Sequence, residues 1–560
     1  MGYGAPGSAY GGSHGGSGMI SARLKTLARS APDRLLGYLA APRFEALSPF
    51  RSRPAPAARF TRKTLFFAFC LFLGVFYGFW GTVLPPAFII FLIVPFLVMA
   101  LLILWILPDS EAVPDAFLDR LLFAFTAVTF LWPNYLAIAI PGLPWMSMRR
   151  IVGLFMVAVF LYALAGSTRM RVSIIEALKS VPLLSKFVIA FFVCQTISIA
   201  FSPYPVLAYK HWFNSQFGWT AAFFLSAYVF SRPGRVERWA RLICTAAIIV
   251  SLIAIVEQRY QMVLWANHIP SIFKMENDDV ERILTPTFRG SQYRSQAIFG
   301  VSLSMAEFLA LAFTLFMHRF FLEKDMIKKS WLAVWIVAVL TAIVFSRARL
   351  GLVGVVVGIG LYSFVWGYRR FRENKTDLTG AALTFGYPAL AATAMTLILS
   401  VDALRFRILG SGTQQSSNDA RQVQFDMAPP VIAHSPLFGY GGGRGADALG
   451  YTTPGGFVTI DTYILSIVLD YGIIGFIFYY GFIFLGAGKA AKLSLNMRNA
   501  PDDPEQREIG YLLPFGVILL QFFWIKTVLS QEENHSMIFI ILGAILALVL
   551  RANRAAAKTA

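Results

Sequence analysis

Long apolar runs follow one another from Thr64 to the end of the chain, with mostly short polar connections between them. A helix needs roughly 17 to 25 residues to cross a bilayer core about 30 Å thick. Only helices satisfy their own backbone hydrogen bonds inside lipid over segments of that length. The pattern therefore predicts an all-α membrane protein with about 12–14 transmembrane helices and one large loop on the outer side. The fourteen candidate spans are centred near residues 73, 96, 128, 158, 193, 221, 248, 307, 338, 359, 391, 474, 518 and 543.

The composition agrees with a membrane-embedded body. Hydrophobic residues make up 57% of the chain, charged residues make up 14%, and the mean hydropathy is +0.62. A soluble domain carries roughly a quarter charged residues, so this chain lacks the polar surface to face water on all sides. Cys70, Cys194 and Cys244 lie far apart within apolar runs, without His or Cys partners at metal-ligand spacing. We expect them to be packing residues, and the sequence predicts neither a metal site nor a cofactor.

The chain divides into three parts. Residues 1–63 form a tail that is Gly-rich at first and basic later, with ten Lys or Arg between Arg23 and Lys63. Because the first apolar run begins only near Thr64, a secretory signal peptide is not expected. Residues 64–550 form the polytopic membrane domain, and residues 551–560 form a C-terminal tail. The membrane domain includes two long outer segments, residues 257–297 and 401–460.

The charges indicate the orientation. With the N-terminus inside, 34 of the 49 Lys and Arg residues fall on the same side of the membrane as that terminus. Since basic residues are enriched in cytoplasmic loops, we expect both termini in the cytoplasm. The two outer segments are nearly balanced in charge, with five basic and five acidic residues in the first and four of each in the second. The net charge of +19 therefore reflects topology, and the balanced segments argue against a nucleic-acid-binding surface.

Some arginines lie on the outer side, where basic residues are disfavoured. Arg289 and Arg294 precede the span near residue 307, and Arg347 and Arg349 lie in a tight turn between two spans. An arginine side chain is always charged and presents a planar fork that suits phosphate. Two interpretations stand open from the spacing alone: an outward-facing site for a phosphate or pyrophosphate group, or pairing with loop carboxylates and lipid phosphates.

The glycine run at residues 441–445 invites comparison with a nucleotide-binding loop. It does not fit the P-loop pattern, no Lys follows it, and it lies on the outer side. Two roles remain for it: a turn that brings backbone N–H groups to an anion, or an ordinary connection.

A transfer reaction on the outer side needs a group that accepts a proton. Asp461 opens the span near residue 474, where an Asp is also a common helix N-cap. Glu307 and Asp470 lie within spans, where an acid marks either function or a polar neighbour. The other outer candidates are His268, His434, His535, Glu532, Glu533 and Asp426.

Four stretches on the outer side share motifs, in order, with one family. Residues 294–303 are similar to a family stretch with the pattern Arg-x-x-Gly-x-Phe-x-Asn-Pro-Asn. This chain keeps the Arg and the Phe there but lacks the Asn-Pro-Asn. A Ser-Arg-Gly/Ala motif resembles residues 346–348.

The other two stretches lie in and after the large loop. An Arg followed by a Pro-Leu-Phe-Gly-x-Gly turn is similar to Arg421 and residues 436–441. A His-Asn-x-Tyr/Phe-Leu run that ends in Gly-x-x-Gly resembles residues 461–465 and 472–475. Over about a third of its length, the chain thus resembles the O-antigen ligase and polymerase superfamily. Members are bacterial membrane glycosyltransferases that act on undecaprenyl-pyrophosphate-linked glycans at the periplasmic face.

The resemblance implies transfer of a lipid-linked glycan to an acceptor hydroxyl without metal or nucleotide. Arg294 and Arg347 would hold the pyrophosphate leaving group, with Arg289, Arg349 and Arg421 as further candidate contacts. Asp461 stands where the ligases carry a His that is thought to activate the acceptor hydroxyl.

Polymerases of the superfamily vary more at that position. The resemblance therefore favours a polymerase of O-antigen, capsule or exopolysaccharide repeat units, located in the bacterial inner membrane with its active site facing the periplasm. The expected partners are the undecaprenyl-pyrophosphate-linked glycan, an acceptor glycan or lipid A-core, and the lipid bilayer. A chain-length regulator is a further candidate partner. One alternative is an O-antigen ligase that transfers the glycan to lipid A-core, and the second is a polytopic transporter or flippase.

Overall fold

The computed structural model describes scattered residues between 61 and 103, and then residues 113–138, 146–273, 282–289, 291–400, 415–453, 456–496 and 503–559. The first elements are α1 (Asp115–Leu131), β1 (Ala137–Ile138), β2 (Met146–Ser147), α2 (Met148–Gly166), α3 (Thr168–Ser180), α4 (Pro182–Ala200), α5 (Pro205–Ser215), α6 (Ala222–Val229) and α7 (Arg235–Tyr260). Next come β3 (Phe288–Arg289), β4 (Gln292–Tyr293), α8 (Ser302–Leu322), α9 (Met326–Phe345), α10 (Arg349–Glu373), α11 (Leu378–Ala381) and α12 (Tyr387–Ser400). The last are α13 (Gln415–His434), α14 (Gly445–Leu449), α15 (Tyr463–Asn496), α16 (Pro504–Ile509), α17 (Leu512–Lys526) and α18 (His535–Thr559).

The all-α membrane fold is confirmed. Among the described residues, nine helical segments are long and apolar enough to cross a membrane: α2, α4, α7, α8, α9, α10, α15, Pro504–Lys526 and His535–Ala557. The predicted spans near residues 128, 221 and 391 correspond to α1, to α5–α6 and to α11–α12. The last two pairs are each joined by a π-helical segment, Gln216–Ala221 and Ala382–Gly386. The spans predicted near residues 73 and 96 and the tail at residues 1–63 lie almost entirely outside the described residues.

The two long outer segments differ from the loops that the sequence predicts. Helix α7 continues to Tyr260, so the first loop begins later than residue 257, and it contains the small antiparallel hairpin of β3 and β4. In the second segment, residues 401–414 lie outside the described residues, and the 20-residue helix α13 follows. The large loop is therefore partly helical.

Helices α8, α17 and α18 form the centre of the bundle. Their apolar stretches are 78%, 78% and 89% buried, whereas those of α2 and α9 are only 28% and 22% buried and lie at its periphery. Gln521 of α17 ties three helices together, because its Nε2 donates to the carbonyls of Ala310 in α8 at 2.8 Å and Gly354 in α10 at 2.7 Å. Its Oε1 accepts from Thr314 at 2.9 Å. Polar side chains commonly join helices in this way inside membranes.

Glu307, an acid that the sequence left open between function and a polar neighbour, is paired in the bundle centre. Its carboxylate lies 2.9 Å from Lys526 Nζ, and both side chains are fully buried. Glu307 also accepts a hydrogen bond from Asn534 Nδ2 at 2.8 Å. A buried charge is retained when a counter-ion and hydrogen bonds satisfy it. The polar neighbour is therefore Lys526, a cation at the end of α17.

Ion pairs cross one end of the bundle, here called the paired end. Its arginines belong to the basic residues that the sequence assigns to the cytoplasmic side. Because each pairs with carboxylates of other helices, little positive charge is left uncompensated among them. The pairs are Arg551 with Glu505 and Glu508, Arg554 with Glu176, and Arg232 with Asp115 and Asp119.

Helix α15 is interrupted at Gly472, whose φ of 70° and ψ of −174° are not helical. An interruption at membrane depth is tolerated only where other protein groups satisfy the backbone. The loop before α14 supplies these groups here, so the loop and the interruption stabilise each other. The hydrogen bonds run from Tyr440 N to Leu469 O (2.8 Å), from Gly441 N to Asp470 O (2.9 Å) and from Ile473 N to Pro436 O (2.8 Å).

Replacing Gly472 by Ala should destabilise the protein far more than the same change at Gly450. Both glycines have a positive φ, near +70°, but a Cβ at position 472 would lie 2.2 Å from Leu437 O, whereas one at position 450 meets nothing within 4 Å. The positive φ alone costs about 1 kcal/mol, and the clash adds to that cost. Thermal unfolding of both variants in detergent measures the difference. Equal losses of stability would contradict the seating of the loop on α15.

Candidate functional site

The end of the bundle opposite the paired end, here called the site end, gathers connections that are distant in the sequence. Contacts join the starts of α2, α8, α10, α15 and α18 with the middle of α5. The cross-links are Arg149 Nη2 to Ser536 Oγ (2.7 Å), His211 Nε2 to Glu532 Oε2 (3.4 Å), Gly300 N to Glu533 Oε1 (3.2 Å), Arg294 Nε to Ser346 O (3.4 Å) and Tyr463 OH to Glu532 Oε1 (2.9 Å). The outer candidates from the sequence are found mainly at this end.

The turn between α9 and α10 holds Arg347 in a strained conformation. Its φ is +53°, a region that residues other than glycine rarely occupy. Ser346 holds this turn, because its hydroxyl donates to Ile343 O at 2.6 Å and accepts from Ala348 N at 3.1 Å. Backbone strain of this kind clusters at functional sites. The prediction of a tight turn at residues 346–349 is confirmed.

Arg289 and Arg294 reach the same turn from the loop before α8. Arg289 Nη1 donates to Arg347 O at 3.2 Å, and Arg294 Nε donates to Ser346 O at 3.4 Å. A backbone bond from Ser295 N to Phe345 O at 3.2 Å fixes the loop against α9. The arginine turn, defined as Arg289, Arg294 and Arg347, thus brings together three of the five arginines predicted from the sequence.

The arginine turn differs from the paired end in its lack of counter-ions. Within the described part of the chain, no carboxylate pairs with Arg289, Arg294 or Arg347. Burial, and secondarily the charge of Arg289, lower the pKa of Arg294 from its ordinary value. The turn also lies at the N-terminus of α10, where helix N–H groups carry partial positive charge, and Arg349 is the first residue of that helix. The arrangement can bind an anion with several phosphate oxygens.

Glu257 anchors the loop that carries Arg294. Its carboxylate accepts the backbone N–H groups of Gln296 and Ala297 at 3.0 and 2.8 Å. Ala297 has a φ of +48°, a conformation that favours glycine, and glycine is the residue that the resembling motif has at this position. The loop therefore keeps the backbone shape of that motif although its sequence departs from it.

Asp461 lies beside Arg421, in the connection before α15. Its backbone N–H donates to Gln424 Oε1 of α13 at 2.9 Å. Burial raises the pKa of Asp461, and the nearby charge of Arg421 opposes that rise. Helix α15 begins at Tyr463, so Asp461 stands two residues before it and does not open the helix as the sequence suggested. No contact of Arg421 with the arginine turn is present in the described segments, although the sequence grouped them.

The other candidates for a base occupy varied surroundings. His268 and His434 are exposed, and His535 is fully buried among aromatic rings, including that of Tyr463 at 4.6 Å. Asp470 accepts the backbone N–H groups of Arg444 at 3.0 Å and Gly445 at 2.6 Å, so it supports the glycine run. That run is a structural turn seated on α15. The exposed carboxylate of Asp426 accepts from Gln422 at 2.9 Å.

Sequence reasoning missed His211. It lies in α5, inside a run read only as a span, and contacts Glu532 from more than 300 positions further along the chain. The one signal available was a titratable residue within an apolar segment, which membrane helices carry rarely.

Residues 332–480 match the model of a family described as O-Antigen ligase. The matched region runs from α9 into α15 and contains the turn with Arg347, helix α13, the glycine run and Asp461, while Arg289 and Arg294 precede it. A comparison with curated proteins found no match. The match supports glycosyltransferase activity of the O-antigen ligase and polymerase type in a multi-pass membrane protein. Over residues 332–480, the chain is thus similar to the O-antigen ligase family, in agreement with the motifs of its sequence.

Proposed function

We propose that the protein is an inner-membrane glycosyltransferase that polymerises lipid-linked repeat units of O-antigen, capsule or exopolysaccharide at the periplasmic face. The observation that carries the proposal is the arginine turn. The guanidinium groups of Arg289 and Arg294 converge there on the backbone of the turn that carries Arg347, without a carboxylate partner among the described residues and at the same end of the bundle as Asp461. A diphosphate linked to a polyprenyl chain is an anion that lies at the membrane surface, because its chain is embedded in the lipid.

In the proposed reaction an acceptor hydroxyl attacks the anomeric carbon of the lipid-linked glycan. A new C–O bond forms, the bond between that carbon and the pyrophosphate breaks, and the hydroxyl proton passes to the Asp461 carboxylate. Negative charge develops on the departing pyrophosphate. Donors that are already positioned where charge develops lower the barrier most, and this is the role of Arg289, Arg294 and Arg347.

Asp461 in place of His favours the polymerase over the ligase. The two intramembrane acids do not favour the transporter interpretation, because both have partners inside the protein. Glu307 pairs with Lys526, and Asp470 binds backbone N–H groups.

A product assay tests the proposal. The purified protein is incubated with the source cell's own lipid-linked repeat unit, with and without lipid A-core, and the products are resolved on a gel. We expect a ladder of longer lipid-linked glycans in both reactions. Glycan attached to lipid A-core without a ladder would make the protein a ligase, and the absence of both products would overturn the proposal.

Replacing Arg294 or Arg347 by Ala should lower kcat by about 10²- to 10³-fold, because each change removes a positioned donor to the leaving group. Arg259→Ala is the matched control, since Arg259 is an exposed arginine at the same end of the bundle, outside the arginine turn. Steady-state rates are measured on variants with wild-type elution in size-exclusion chromatography. Near-normal rates for both Arg294→Ala and Arg347→Ala would contradict the assignment of the pyrophosphate site.

Replacing Arg421 by Gln should move the acidic limb of the kcat–pH profile to higher pH. Asp461 acts as a base only when it is ionised, and the charge of Arg421 opposes the rise in its pKa that burial causes. Without that charge the pKa of Asp461 rises further, so activity is lost at a higher pH as the solution is acidified. The Asp461→Asn variant should be inactive across the range. An unchanged limb in Arg421→Gln, or an active Asp461→Asn, would exclude Asp461 as the base.

A further inference from the structure

His211 and Glu532 form a polar pair at the site end that the proposed reaction does not use. His211 Nε2 lies 3.4 Å from Glu532 Oε2, and the side chains are 23% and 28% exposed. The other carboxylate oxygen of Glu532 accepts the hydroxyl of Tyr463 at 2.9 Å. The three residues come from α5, from the connection before α18 and from the start of α15. Tyr463 is two residues from Asp461 in the sequence. Its hydrogen bond to Glu532 therefore links the pair to the segment that carries the proposed base.

The glycine run encloses the imidazole of His211. A Cβ at Gly443 would lie 2.9 Å from His211 Nδ1, and one at Gly442 would lie 2.7 Å from His211 Cδ2 and 2.6 Å from the hydroxyl of Tyr471. Gly443 also has a φ of +68°. Only backbone fits against the ring, so the loop that bridges the interruption of α15 also fixes the orientation of His211.

We propose that Glu532, oriented by His211, binds the terminal sugar of the acceptor glycan through a hydroxyl group; this inference rests on the proposed function. A sugar hydroxyl donates one hydrogen bond and accepts others. The carboxylate of Glu532 is partly open, whereas the Nε2 atom of His211 is buried and faces that carboxylate. The pair therefore presents one oriented carboxylate acceptor to a sugar hydroxyl.

The charges around the pair favour a neutral ligand over the pyrophosphate. Glu532 pairs with His211, and Asp470 also interacts with His211 electrostatically, while Glu532 and Glu533 both interact with the cation Arg149. The three carboxylates outnumber that cation. Arg149 is itself engaged, since it donates to Ser536 Oγ at 2.7 Å. An anionic group would meet repulsion here and attraction at the arginine turn. The arginine turn would thus bind the leaving group, and the pair of His211 and Glu532 would bind the acceptor sugar.

Kinetics with a soluble acceptor test the inference. The lipid-linked repeat unit serves as donor, and a soluble glycoside of the same repeat unit is varied as acceptor. We expect His211→Gln and Glu532→Gln each to raise the KM for the acceptor about 10- to 100-fold, because a hydrogen bond to a charged group is lost or weakened. The kcat and the KM for the donor should stay within about threefold of the wild-type values. His434→Gln, which changes an exposed histidine on the same side, should leave all three parameters unchanged.

A merely structural pair gives a different result. Glutamine at position 532 keeps the size of the side chain and can still accept the hydroxyl of Tyr463, so a structural role predicts little change in acceptor KM. An acceptor KM within twofold of wild type in both variants would overturn the inference while wild-type polymerisation leaves the proposed function intact. A wild-type protein that makes no glycan product would instead overturn the proposed function itself. If His211→Gln fails to fold, Glu532→Gln alone decides between the two roles.

Discussion

The rest of the site depends on one constraint: inside a membrane, every backbone N–H and carbonyl needs a partner within the protein. The helical hydrogen-bond pattern of α15 is interrupted at Gly472. The loop at residues 436–441 supplies replacement backbone hydrogen bonds to Leu469, Asp470 and Ile473. The fit requires glycines, since Gly439 and Gly441 have positive φ and lie against neighbouring backbone or side-chain atoms. The loop that leads into the glycine run at residues 441–445 therefore stabilises the interrupted helix α15.

The docked loop also fixes the position of polar side chains on both of its sides. Asp470 is held against the backbone of Arg444 and Gly445, and His211 packs against Gly442 and Gly443. The two ends of the bundle also differ in electrostatics, because arginines at the paired end have carboxylate partners whereas Arg289 and Arg294 of the arginine turn bind backbone carbonyls. Guanidinium groups without carboxylate partners among the described residues, a half-buried carboxylate at Asp461 and the pair of His211 and Glu532 therefore lie at one end of the bundle. The proposed transfer from a lipid diphosphate to a hydroxyl requires such a grouping.

The sequence predicted the features that local patterns encode. Apolar runs of bilayer length predicted the helices, and the motif at residues 346–348 predicted the turn that presents Arg347. It could not predict contacts between distant segments, such as Lys526 with Glu307 or His211 with Glu532. Helix α13 was missed because its polar sequence contains Pro429 and Pro430, which local propensity counts against a helix. The interruption at Gly472 was hidden in a continuous apolar run, since only the docked loop reveals it.

The most direct test of the central claim is a cryo-electron microscopy structure of the full-length protein with its lipid-linked repeat unit bound. The account predicts density for the pyrophosphate within hydrogen-bond reach of the side chains of Arg294 and Arg347, with Arg289 beside them and the first sugar toward Asp461. A pyrophosphate bound elsewhere, for example against the glycine run or at the paired end, would contradict the claim that the arginine turn holds the leaving group.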